Sequence, residues 1–199
     1  MKSSLSKRKD FMRRALLKLA KDRFHEMQST HQKDSESQLA APISPTPHAI
    51  IENFLPHLRL NSSKLLVDLG CGDGRWLVAA TKLSQCRSFG IDVDDDRLKL
   101  ATQCIAANNL SARIQVQRRD IFDFVRNDTD TFCRADVFIL YLFRDAMTEV
   151  GKLLQDRLRR QQKQVYVLTV GFALKDWIPT HEQVLNGVRV YLYSRNMKS

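Results

Sequence analysis

Leu65-Leu66-Val67-Asp68-Leu69-Gly70-Cys71-Gly72-Asp73-Gly74-Arg75 is the stretch that decides the fold. An apolar run carrying an acid breaks into three glycines at alternate positions. Apolar Trp76, Leu77, Val78, Ala79 and Ala80 follow directly, as a helix would. Buried strand, glycine turn and helix, in that order, are how an α/β sheet presents backbone N–H groups and a helix N-terminus to a ligand. Glycine serves twice in such a turn, accepting positive φ and letting the backbone touch the ligand. The spacing narrows the ligand. A dinucleotide fingerprint reads G-x-G-x-x-G/A, but here the third glycine comes one residue early and Arg75 fills the Gly/Ala slot. A tight strand-to-helix turn in any α/β protein is the plainer reading, and the acid before the first glycine argues against it.

Two further landmarks follow at the required offsets. Ser88-Phe89-Gly90-Ile91 reads as a short strand ending in Asp92. Asp92 lies about twenty residues past the glycines, where a Rossmann-like sheet puts a carboxylate on ribose hydroxyls. Arg97 to Ala107 is apolar at Leu98, Leu100, Ala101, Cys104 and Ile105, a helical face. One of Asp94, Asp95 and Asp96 is expected to cap that helix. Arg113-Ile114-Gln115-Val116-Gln117 alternates like a strand, with Asp120-Ile121 after its end. Asp120 also suits a plain helix cap.

The chain has 199 residues, 43% hydrophobic and 27% charged. That suffices for one substantial folded domain plus an extension. Cys71, Cys86, Cys104 and Cys133 show neither a C-x-x-C pair nor zinc spacing to histidine, so they read as reduced, mostly buried thiols without a disulfide or metal role. No apolar stretch approaches a membrane span and no apolar secretory core is seen. An intracellular location is expected.

Charge is unevenly spread. Residues 1–33 hold ten Lys/Arg against Asp10, Asp22 and Glu26, seven of the ten net positive charges. Met12, Leu16, Leu19, Ala20, Phe24 and Met27 share one face at helical spacing, a basic amphipathic helix. Three readings stay open: a mitochondrial targeting segment, which the three acids disfavour; an arm for RNA, an anionic surface or a partner; or a helix packed on the domain. In the two latter cases the protein could equally be cytoplasmic. Residues 34–45 read as a linker within the Ser-, Gln-, Thr- and Pro-rich run from Ser29 to Pro47, and 46–199 as the folded domain that carries the glycine turn. Thr46-Pro47 looks like an N-cap and first helical residue, and Ile50, Ile51, Phe54, Leu55 and Leu58 form one apolar face up to a break at Pro56. His48 is expected to be exposed.

The second half closes the sheet. Ala135 to Leu142 is a near-continuous apolar run, as in a strand buried on both faces. Asp145 to Arg160 is helical, Gln164 to Val170 is a strand, and Asn186-Gly187 is a hairpin turn between Glu182–Leu185 and Val188–Tyr193. The inferred architecture is α/β: a Rossmann-like, seven-stranded, doubly wound sheet with an antiparallel final strand, preceded by the basic helix.

Asp68-Leu69-Gly70-Cys71-Gly72-Asp73-Gly74 resembles motif I of the class I S-adenosylmethionine-dependent methyltransferases. The chain further resembles the small mitochondrial lysine N-methyltransferase family of the ATP synthase c-subunit type. That likeness covers residues 42–193. It rests on the run Pro42 to Pro47 with Glu52-Asn53, on the glycine motif through Arg75, and on Arg119-Asp120-Ile121-Phe122. It continues through Tyr141-Leu142-Phe143, the run Gly171 to Pro179 containing Trp177, and Val190-Tyr191-Leu192-Tyr193. The resemblance implies S-adenosyl-L-methionine as cofactor, held by Asp68, Gly70, Cys71, Gly72, Gly74, Asp92, Val93, Asp120, Ile121 and Tyr141, with no metal. Asp120 would receive the adenine amino group. Two departures stand out: a basic amphipathic helix replaces the family's apolar membrane segment, and Asp92 stands where Glu is common.

Amino-group methylation of adenine, cytosine or glutamine usually goes with Asn/Asp-Pro-Pro-Tyr/Phe after the fourth strand; here Tyr141-Leu142-Phe143-Arg144-Asp145 stands instead. The absence of that element counts against those three acceptors, and the family resemblance implies a protein lysine. Tyr141 and Phe143 would wall the accepting atom, with Asp145 as an outer catalytic candidate; core packing for Tyr141 and a helix cap for Asp145 are the plainer alternatives. Trp177 reads as a core aromatic. An RNA methyltransferase guided by the basic arm, and a non-catalytic assembly factor of a ribonucleoprotein, remain the alternatives.

Overall fold

Near-continuous burial along the central strands, Leu65–Leu69, Val137–Leu140 and Val165–Val170, sets a sheet covered on both faces. The protein is seen in a computed structural model that describes residues 45–195. The basic helix expected at residues 1–33, and all but the last residue of the 34–45 linker, lie outside the described residues. The seven strands are β1 (Leu65–Leu69), β2 (Arg87–Asp92), β3 (Ile114–Arg118), β4 (Val137–Leu140), β5 (Val165–Val170), β6 (His181–Leu185) and β7 (Val188–Arg195). They form one sheet in the order β3-β2-β1-β4-β5-β7-β6. The first five pair in parallel, and β7 runs antiparallel to both its neighbours. The strand order reverses between β1 and β4, the place where open α/β sheets bind ligands beyond their strand C-termini.

Successive side chains of a strand face opposite ways, so the sheet is covered twice. Leu66, Val137, Ile139, Leu168 and Val170 pack with α1 (His48–Phe54), α2 (Arg75–Ser84) and α3 (Asp95–Ala107). Val67, Leu69, Phe138, Leu140 and Val167 pack on the other face with α4 (Ile121–Asn127), α5 (Asp130–Arg134) and α6 (Arg144–Leu158). No helix among the described residues is long and apolar enough to cross a membrane.

Local signals place most boundaries. Asp94 caps α3, its Oδ1 accepting from the backbone N–H groups of Asp96 and Arg97. Asn186 and Gly187 take φ of 51° and 77°, the left-handed pair that a two-residue hairpin turn requires. Beyond Phe54 the chain tightens into a 3-10 turn, Leu55–Leu58, with Pro56 in its first turn, because proline has no N–H to continue the α ladder.

Four expectations need correction. Thr46 does not cap α1; Pro47 holds that position without a side-chain cap, and the Thr46 hydroxyl is instead taken by Trp76 Nε1 at 3.2 Å. β4 stops at Leu140, although Leu142 beyond it is fully buried. All four cysteines are free, but Cys133 is exposed, since it lies on a short surface helix. His48 is half-buried rather than exposed.

Candidate functional site

Hydrogen bonds and close packing tie the glycine turn to the end of β2. The N–H groups of Gly70 and Cys71 both donate to Ile91 O, at 3.0 and 2.9 Å. A Cβ at Gly90 would lie 2.6 Å from Leu77 Cδ1 and 2.8 Å from Cys71 Cβ, so the turn and α2 rest directly on bare β2 backbone. Gly72 is different. Its φ is +51°, and a Cβ there would meet only the tip of Arg97, at 3.6 Å. Its outer face is open enough for a ligand to approach the backbone.

Asp92 organises this edge from the end of β2. Its Oδ2 accepts from Gly72 N–H at 2.8 Å and its Oδ1 from Asp94 N–H at 3.0 Å. Each oxygen keeps a second lone pair. Asp68, on β1, is only 3% exposed and accepts no hydrogen bond from the described residues. Burial first, then the nearby charges of Asp92 and Asp73, push its carboxyl well above the usual carboxylate range. Burial and the same acids also push the Cys71 thiol up. A buried carboxylate without a donor is costly, and a cationic ligand group would remove that cost.

A second layer braces the turn. Arg75 binds Asp73 with Nε at 2.9 Å and Nη2 at 2.6 Å, and reaches Thr46 O with Nη1 at 2.8 Å. With Trp76 on the Thr46 hydroxyl, the segment before α1 is fastened to the turn. Sequence reasoning missed Asp73, Trp76 and Thr46 in this role. Arg75 in the slot where a dinucleotide fingerprint wants glycine was the available signal.

Along the same sheet edge, β3 is followed by exposed Asp120, the N-cap of α4, whose Oδ1 accepts from Asp123 N–H at 2.9 Å. Ile121 behind it is buried, and Val93 after β2 is 46% exposed. After β4, Tyr141 is half-buried with its ring against Gly171; a Cβ there would sit 3.5 Å from Tyr141 Cε2. Phe143, at the N-cap of α6, is 44% exposed. Asp145 is exposed in the first turn of α6 and bonds to no described side chain, a position that suits the helix dipole. Trp177 meets Tyr193 edge-on at 5.6 Å and carries Arg195 over its ring at 5.2 Å. Among the described residues no group of three or more His, Cys, Asp or Glu could hold a metal ion.

The C-terminal edge of the sheet therefore offers a glycine turn that only Arg97 covers at Gly72, a buried acid with no donor among the described residues, two further acids and, after β4, two aromatic residues. Known proteins resemble the chain over this region. The family described as the ANTKMT methyltransferase domain matches residues 68–181, more than half of the chain. A protein-lysine N-methyltransferase of Saccharolobus islandicus (strain REY15A) is 25% identical over 140 residues, covering 69% of this chain and 81% of that protein. A ribosomal protein L11 methyltransferase of Yersinia pestis is 28% identical over 106 residues; the match covers 53% of this chain but only 33% of that protein. Among solved structures, an RNA methyltransferase from Salinibacter ruber in complex with S-adenosyl-L-homocysteine superposes with a TM-score of 0.68 at 24% identity, covering 78% of this chain and 96% of that one. That likeness establishes the fold.

Proposed function

The chain belongs to the ANTKMT methyltransferase domain family and is an S-adenosylmethionine-dependent methyltransferase; from that premise we propose that its acceptor is a lysine side chain of a protein. The observation that carries the acceptor is the end of β4, where Tyr141 and Phe143 set aromatic rings beside the sheet's switch point with no amide-recognising Asn/Asp-Pro-Pro element. The Saccharolobus islandicus relative named a protein-lysine N-methyltransferase supports a lysine acceptor, and the relative named for ribosomal protein L11 supports a protein substrate.

The residues present fit the cofactor. The Asp68 carboxylate, buried and without a donor, would take its ammonium group. The free lone pairs of Asp92 would take the ribose hydroxyls, and the turn backbone at Gly70, Cys71, Gly72 and Gly74 would lie against its chain, approached at Gly72, where a Cβ would meet only the tip of Arg97. Val93 and Ile121 would flank the adenine, with Asp120 receiving its amino group through the oxygen not used in the cap.

The cofactor supplies a methyl group already activated as a sulfonium, so the side chains need mainly to position the acceptor and exclude water. Tyr141 and Phe143 provide an apolar wall for the incoming amine. Such surroundings lower the pKa of a lysine and raise its neutral, nucleophilic fraction. Turnover should therefore climb with pH until the bound amine is fully neutral. Asp145 stands outside this wall, as a candidate acceptor of the released proton.

Labelling settles the acceptor. Extracts from cells lacking the protein, given the pure enzyme and methyl-labelled S-adenosylmethionine, should yield label that is recovered as methyl-lysine after hydrolysis. Label found solely in ribonuclease-sensitive material would transfer the case to an RNA acceptor, the reading that the charge of residues 1–33 favours.

A further inference from the structure

Resting on the protein-lysine reading above, we infer that a second subsite next to the acceptor wall binds acidic side chains flanking the target lysine. A surface depression of about 500 Å³ opens between α6, the loop after β5 and strand β7. Arg144, Lys175 and Arg189 supply its charge, and Phe172, Tyr191 and Gly171 its floor. Gly171, which lines the depression, is also the residue against which the Tyr141 ring rests, so the depression borders the proposed acceptor site.

The three cations are differently held. Arg144 lies over the Phe172 ring, 4.7 Å from its centroid, a cation–π contact with the ring face that uses no carboxylate. Neither Arg144 nor Lys175 pairs with a carboxylate among the described residues. Arg189 is shared with Glu182 at 3.1 Å, on an exposed strand pair. Two uncommitted cations and one half-committed cation around a partly aromatic hollow suit one or two carboxylates of a peptide.

A polyanion fits less well. Outside residues 1–33 the chain carries 22 Lys/Arg against 19 Asp/Glu, a net +3, so this is a local cluster. Nucleic acid is held by a groove or stripe of cations that tracks the phosphate backbone. A short acidic segment of the acceptor protein needs only the cluster.

The test uses the full chain and three fluorescent peptides with one central lysine, flanked by glutamates, glutamines or arginines. Anisotropy at low salt should show the glutamate peptide bound about tenfold more tightly than the glutamine one, with the gap closing as salt rises. The double variant Arg144→Ala/Lys175→Glu should lose that preference and shift toward the arginine peptide, while S-adenosylmethionine affinity and thermal midpoint stay at wild-type values. Equal binding of the glutamate and glutamine peptides, or a preference that survives the double variant, overturns the subsite. So does displacement of the glutamate peptide by a single-stranded RNA that binds more tightly through the same two residues. The two readings fail separately: methyl-lysine formed without an acidic preference removes the subsite alone, whereas label confined to RNA removes the lysine acceptor and the subsite with it.

Discussion

Asp68 is the residue on which cofactor binding and folding pull in opposite directions. Burial holds its carboxyl well above the usual carboxylate range, so the empty folded state takes up a proton more readily than the unfolded chain. While the group is protonated in both states it costs nothing. As pH rises from the ordinary carboxylate range toward the raised value, the desolvation cost grows, and above that value it is borne in full. Asp68→Asn removes the charge. The cofactor-free variant should therefore melt above wild type at neutral pH, by roughly 2–4 °C if about 1 kcal/mol is recovered, and the difference should shrink toward acid. The same change removes the partner of the cofactor's ammonium group, a charge-assisted contact of about 1.5–3 kcal/mol, so calorimetry should show affinity weakened about tenfold or more. Wild-type affinity in this variant, or a lower neutral-pH midpoint, would sink the assignment. Three residues on, burial first and then the charges of Asp68, Asp92 and Asp73 push the Cys71 thiol up, and its side chain packs on the bare β2 backbone at Gly90.

At the scale of elements, α1 depends on a contact made far along the chain. Pro47 gives it no side-chain cap, and Arg75 and Trp76 hold Thr46 from the start of α2. Arg75→Ala should cost about 1–2 kcal/mol, since the lost bonds are partly buried and Asp73 keeps no guanidinium. Hydrogen exchange should quicken selectively over His48–Phe54; quickening spread evenly over the sheet would refute this linkage. The case also shows what was legible beforehand. Strand–turn–helix order was readable at β1, β2 and β3 because each signal is local: an apolar run, a glycine or acid at its end, then helical spacing. Asp94 and the Asn186-Gly187 turn were readable for the same reason. Thr46 was misread because its cap geometry competes with Trp76, thirty residues away, and tertiary demand won. The run from Ala135 to Leu142 overstated β4, since burial continues past the last paired residue. The hollow lined by Arg144, Lys175 and Arg189 had no local pattern at all; α6, a loop and β7 bring it together only after folding.

At the scale of the whole molecule, charge and chemistry occupy different parts of the chain. The glycine turn, the acids and the acceptor wall lie within the stretch that the family matches, residues 68–181, whereas residues 1–33 carry seven of the ten net positive charges. Deleting residues 1–33 should therefore leave cofactor affinity and thermal midpoint near wild type. It should instead alter import into isolated mitochondria or weaken binding to an anionic partner. In the second case the loss should be largest at low salt, because exposed charges are screened beyond about 10 Å at 0.1 M. Cleavage of the N-terminus by imported mitochondria would assign the segment to targeting; an intact N-terminus with salt-sensitive binding would assign it to docking. A truncated chain that unfolds, or no longer binds S-adenosylmethionine, would place residues 1–33 within the catalytic domain and cancel the division. The measurement has a wider use. If the deletion weakens methylation of a whole acceptor protein while the lysine peptides keep their preference for glutamate, recruitment and local recognition are separable functions, carried by the basic segment and by the Arg144–Lys175 hollow.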